Sequence, residues 1–180
     1  MSHLLEKFHY CPVCGSPHFE ENDFKSKKCA DCGFTYYMNA AAAVVCFIVN
    51  EREQLLVATR GEEPAKGTLD LIGGFCDCGE SATESIIREI KEETGVDVSP
   101  EQLQPLFTLP STYLYSGMTI HTMDTFFLSH LPASTPFDAK DDVAACRWMH
   151  ISQIQPERFG LTSIRNGVTR ALKHPEILEL

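Results

Sequence analysis

Glu89, Glu92 and Glu93 stand at i, i+3 and i+4 of one short run, Arg88-Glu89-Ile90-Lys91-Glu92-Glu93. On a helix those positions are surface neighbours, where like charges repel by about 0.2–0.5 kcal/mol per pair. A solvated acidic face tolerates so small a cost. The helical wheel points elsewhere: at about 100° per residue, Ile86, Ile87 and Ile90 make one apolar stripe with Ala82 at its edge. Glu89 and Glu92 flank the stripe, and Glu93 falls only about 20° from Ile86. A carboxylate pressed against a core-facing edge is not expected to stay ionised without a cation. Converging carboxylates beside a Gly-rich loop, Gly73-Gly74 to Gly79, which offers backbone carbonyls, make an all-oxygen site suited to Mg²⁺ or Mn²⁺.

A second constellation is built from sulfur. Cys11-Pro-Val-Cys14 and Cys29-Ala-Asp-Cys32 are two C-x2-C knuckles, each followed by a glycine. Four thiolates close a tetrahedral Zn²⁺ shell and leave no open position, so the expected site holds structure and activates no water. A segment of this size has too little core to fold unaided, and a metal staple is the usual remedy. A redox dithiol would not need two matched knuckles.

The elements that must carry these groups follow from periodicity and punctuation. Ser81 with Glu84 three residues on forms a capping box, and Gly95 is a left-handed stop, which predicts a helix over 82–94. Ala41–Val49 reads as a buried strand, followed by a turn over 50–53 and a second strand over 54–60. A loop over 61–67 leads to a short strand over 68–72 and the Gly-rich loop. Residues 104–115 and 119–131 form an expected hairpin turning at Ser116-Gly117. A polar loop over 132–142 precedes a strand over 145–151, and a last helix spans about 163–173, ahead of Pro175. The order implies helices packed on a mixed sheet, an α/β domain over 39–180 preceded by a ribbon over 1–38.

Composition excludes several classes. The chain has 180 residues and a formal net charge of −10, which disfavours general affinity for nucleic acid or anionic membranes. Residues 1–40 are no exception: Lys7, Lys25, Lys27 and Lys28 face five acidic residues, so a nucleic-acid-binding regulator built on the ribbon is the weaker reading. The first residues lack a basic region followed by an apolar run, and the longest apolar run, over 40–49, is too short to span a bilayer. Eight cysteines without an export signal suggest reduced thiols and metal ligands in a cytoplasmic setting.

The segment from Gly74 to Val96 resembles the Nudix box, G-x5-E-x7-R-E-U-x-E-E-x-G-U with U aliphatic. It matches at Gly74, Glu80, Arg88, Glu89, Ile90, Glu92, Glu93, Gly95 and Val96; agreement at the seven non-aliphatic positions alone is expected by chance about once in 10⁸ starting points. A Cys₄ ribbon directly before such a domain is similar to the NADH diphosphatase branch. The resemblance implies an α/β/α sandwich and metal-dependent hydrolysis of a nucleoside diphosphate linked to another moiety, NADH-like dinucleotides leading. ADP-ribose and dinucleoside polyphosphates remain open, because Leu109–Tyr115 stands where the branch carries its Ser-Gln-Pro-Trp-Pro-Phe-Pro signature. NAD-capped RNA is a further candidate substrate.

It also implies roles. Glu89, Glu92, Glu93 and the Gly73 carbonyl hold Mg²⁺ or Mn²⁺, with Asp142, six residues before Trp148, as a further ligand. Glu93 serves as base or orients water, and Arg88 pairs with Glu80 to hold the loop. Tyr37 and Phe75 flank the substrate base, and Tyr113 occupies a substrate-marker position. A homodimer is expected. The competing reading is a non-catalytic module that senses a nucleotide, which would not need an intact set of carboxylates.

Overall fold

The computed structural model describes residues 3–115, 117–137 and 143–179, divided into two compact units, Met1–Ala40 and Ala41–Leu180. In the smaller, strands β1 (Phe19–Asp23), β2 (Ser26–Cys29) and β3 (Thr35–Tyr37) pair antiparallel in that order. None of the three was evident from the sequence, because strands this short carry little periodicity. The core is slight: Cys11, Phe19 and Cys29 are buried, with Phe8 and Phe34 against them. Lys27 is no surface charge, since its Nζ is drawn in to donate to the Phe8 carbonyl at 2.8 Å.

The larger unit is built around β4 (Ala41–Val49). Its last six residues are all buried, and they divide by parity. Val45, Phe47 and Val49 enter one hydrophobic cluster, while Val44, Cys46 and Ile48 enter another. A strand covered on both faces reads as an unbroken apolar run, and this is why the sequence shows one. β5 (Gln54–Arg60), β6 (Leu69–Asp70) and β7 (Ile72–Phe75) follow, then helix α1 (Ala82–Thr94). Next come the long hairpin of β8 (Gln104–Tyr115) and β9 (Met118–His130), β10 (Val143–His150) and helix α2 (Thr162–Lys173).

The sheet runs β10-β5-β4-β9-β8, with β6 on β5 and β7 on β4. β4 and β9 are parallel and the other pairs antiparallel, so the sheet is mixed. Ile86 and Ile90 of α1 seal one cluster, and Ile164, Val168 and Ala171 of α2 seal the other. The architecture is the expected helix–sheet–helix sandwich. Among the described residues no helix is long and apolar enough to cross a membrane.

Three local expectations need correction. The strand expected over 68–72 is split at Leu71 into β6 and β7. Gly73 and Gly74 are not loop residues: they pair with Val45 and Val44 inside β7. The last strand begins two residues earlier than expected, at Val143, and ends at His150. Glycine in β7 is explained by crowding. A Cβ at Gly73 would lie 2.1 Å from the Val44 carbonyl oxygen, a backbone atom with no room to retreat.

Gly73→Ala is therefore expected to force β7 from β4, at about 1–3 kcal/mol or more. That corresponds to a melting temperature lowered by at least about 2–4 °C in a protein of this size. Thermal unfolding with wild-type stability would contradict the pairing of β7 with β4.

Candidate active site

Helix α1 places the acidic groups, and its ends are fixed by local chemistry. Ser81 accepts from the Glu84 N–H while the Glu84 carboxylate accepts from the Ser81 N–H. Gly95 closes the other end in the left-handed conformation, its N–H donating to Lys91. This frame turns Glu89 and Glu93 inward, 9% and 6% exposed, and leaves Glu92 at the surface. The Glu93 carboxylate accepts the Gly73 N–H at 3.1 Å, which ties α1 to β7.

Arg88 organises the group. Its Nε and Nη2 meet both oxygens of Glu80 at 2.8 and 3.0 Å, and Nη2 also donates to the Phe75 carbonyl at 3.0 Å. Nη1 contacts Glu89 at 2.8 Å and Glu92 at 2.9 Å. One guanidinium thus spans the end of β7, the loop and two carboxylates of the helix, in the fork geometry that favours arginine over lysine. Hydrogen bonds from Arg88, with that of the Asp77 N–H, hold the Glu80 carboxyl down to about 2. The pairing of Arg88 with Glu80 was foreseen; its reach to Glu89, Glu92 and the Phe75 carbonyl was not.

These residues wall a cavity of about 250 Å³ lined by β4, β5, β6, β7, β8, β9, α1 and the start of α2. Glu89, Glu92, Glu93, Gly73, Arg88, Phe75 and Tyr113 all line it. Phe75 and Tyr113 meet edge to face, their ring centroids 5.7 Å apart, and Phe75 is 43% exposed. Tyr37 belongs to the small unit, where it is exposed at the end of β3. Asp142 lies outside the described residues.

Three ionisable lining residues were missed: Arg60, Asp70 and Asp124. Arg60 pairs with Asp70 through Nη1 and donates Nε to the Pro64 carbonyl at 2.8 Å. Burial raises the Asp70 carboxyl above its ordinary range, Arg60 opposes that shift, and nearby Asp124 adds to it. A signal was present for Asp124, a lone acid at a core-facing position of an apolar strand.

Five carboxylates and two guanidiniums therefore face one cavity, an excess of negative charge that suits cations, and its oxygen donors suit hard ones. The carboxylates are not drawn into a tight ligand cluster. Among the described residues, only Cys11, Cys14, Cys29 and Cys32 bring three or more ligand atoms within 4.8 Å of one another. The sulfur set fits zinc. Cys11 and Cys32 Sγ are 3.7 Å apart and Cys14 and Cys29 Sγ 3.6 Å apart, whereas a tetrahedral ion with Zn–S bonds of about 2.3 Å sets sulfurs about 3.8 Å apart. Backbone N–H groups, that of Cys32 foremost, bring the Cys29 thiol down to about 6, against the effect of its burial.

Comparison with known proteins agrees with the geometry. A family model described as the NUDIX domain matches residues 39–171. The NAD-capped RNA hydrolase NudC of Stutzerimonas stutzeri (strain A1501) is 24% identical over 176 residues, 96% of this chain and 60% of that protein. An ADP-ribose pyrophosphatase of Methanocaldococcus jannaschii is 38% identical over 77 residues, 43% of this chain and 45% of its own. The chain thus spans 60% and 45% of the lengths of these two curated relatives. Among solved structures, a NUDIX hydrolase from Nitrosomonas europaea superposes with a TM-score of 0.67 at 18% identity, over 93% of this chain and 92% of that one.

Proposed function

The chain belongs to the NUDIX domain family, and from that premise we propose that it hydrolyses the pyrophosphate bond of a nucleoside diphosphate linked to a second moiety. The observation that carries this reading is the placing of Glu89 and Glu93, buried on α1, beside Arg88 in one cavity with the aromatic pair Phe75 and Tyr113. NADH-like dinucleotides are the favoured substrates, with NAD-capped RNA in the same class. Names borne by relatives support that choice and keep ADP-ribose beside it.

When bound, Mg²⁺ or Mn²⁺ supplies charge neutralisation for the pyrophosphate and acidifies the attacking water. Glu89, Glu92, Glu93, the Gly73 carbonyl and Asp142 are the groups that would hold these ions, while Cys11, Cys14, Cys29 and Cys32 would hold a structural Zn²⁺. Glu93 takes the proton of the attacking water or orients it, with its own position fixed by the Gly73 N–H. Arg88 keeps β7, the loop and the helix in register through its bonds to Glu80 and the Phe75 carbonyl. Phe75 and Tyr113 offer ring surface to a base, worth about 1–3 kcal/mol per stacked base. The proposed form is a homodimer in a reducing, cytoplasmic setting, where the four thiols stay available to zinc.

A panel of NADH, NAD⁺, ADP-ribose, diadenosine polyphosphates, FAD, nucleoside triphosphates and NAD-capped RNA, with Mg²⁺ or Mn²⁺, tests the reading. The expected result is cleavage of a dinucleotide or ADP-ribose to monophosphate products. Binding of a member without cleavage of any would replace the enzyme with a nucleotide sensor.

A further inference from the structure

We propose that Asp124 determines specificity, by accepting a hydrogen bond from an N–H or O–H donor on the nucleoside half of the ligand; this deepens the reading above and rests on it. Asp124 sits on β9 and lines the cavity. It is 6% exposed, and its Oδ1 is buried with no hydrogen-bond partner among the described residues. The neighbouring acid is already satisfied. Asp70 accepts from Arg60 Nη1 at one oxygen and from the Leu71 N–H at the other, so the local guanidinium is committed elsewhere.

A buried acceptor without a partner is costly to a fold, which leaves it in place only where something else supplies the donor. The setting fits a nucleoside. Tyr113, which meets Phe75 at the rim, lines the same cavity as Asp124. The start of α2 also lines it, through its N-cap Leu161 and through Ser163 and Ile164, and no side chain caps that helix start. A helix start without a side-chain cap and a buried carboxyl acceptor lining the same cavity match the mixed donor and acceptor edge of an amino-bearing base. A ribose hydroxyl offers the same donor chemistry, and the test separates the two.

Calorimetric binding with Mg²⁺ compares three probes: ADP, purine riboside 5′-diphosphate, which lacks the base amino group, and 2′-deoxy-ADP, which lacks one hydroxyl. Wild-type protein should bind one of the two depleted probes at least about 10-fold more weakly than ADP, as expected when a buried acceptor is left unsatisfied. Asp124→Asn should bind ADP more weakly by a similar factor and no longer tell that probe from ADP. Its melting temperature without ligand should equal or exceed that of wild type, because the amide keeps the volume and no longer buries a carboxyl oxygen pair with one acceptor unpartnered. Asp124→Thr carries the same comparison if the amide variant fails to fold.

The proposal is overturned if wild type does not bind ADP, binds all three probes alike, or discriminates undiminished after substitution. It also falls if the variant's lost affinity tracks lost Mg²⁺ or Mn²⁺ binding, which would make Asp124 a cation ligand. The two readings fail separately. Turnover without discrimination leaves the hydrolase and removes this role, whereas discrimination without turnover of any dinucleotide does the reverse.

Discussion

Glu93→Gln is expected to lower turnover by at least about 10²-fold while leaving ligand binding largely intact. The substitution preserves shape, and the glutamine carbonyl can still accept the Gly73 N–H that the carboxylate accepts at 3.1 Å. What it removes is one negative charge at a site 6% exposed, and with it a group able to take a proton at neutral pH. Loss of the charge should not unfold the protein, since a buried carboxylate costs the fold more than an amide of the same size. Kinetics and melting on one preparation separate these effects. Turnover within a factor of a few of wild type would remove Glu93 from the chemistry.

The second large effect is expected in the small unit. Cys29 is fully buried, and its Sγ lies 3.6 Å from that of Cys14. Serine there takes one ligand from a set of four. For structural zinc, binding energy is also folding energy, about 10–16 kcal/mol in zinc-finger peptides at neutral pH, and Cys11, Phe19 and Cys29 are too small a core to replace it. Cys29→Ser should therefore lose most of its zinc and melt its small unit at lower temperature. Elemental analysis of wild-type protein purified without chelators should give one zinc per chain. A value near zero would sink the zinc assignment.

Much of the fold was legible because its signals are local. The Ser81–Glu84 box and Gly95 bound α1 at Ala82–Thr94 as expected, and the unbroken apolar run of Ala41–Val49 marked β4 to the residue. The wheel that placed Glu93 against the apolar stripe matches its burial, but it set Glu89 and Glu92 alike beside the stripe, and only Glu89 is buried. What escaped was non-local. Gly73 and Gly74 look like loop residues until β7 is seen to pair with β4, where a close backbone contact, not a turn, demands glycine. Arg60, Asp70 and Asp124 belong to three different strands, and only the sheet order brings them to one cavity. No spacing rule within a single segment could assemble them.

The most direct test of the central claim is phosphorus NMR of NADH and of ADP-ribose incubated with the protein and Mg²⁺. The pyrophosphate signals should give way to two phosphomonoester signals; EDTA should stop the conversion, and excess Mg²⁺ should restore it. Pyrophosphate signals that persist, with protein that is folded and demonstrably binds the same compound, would contradict the assignment of this cavity to hydrolysis.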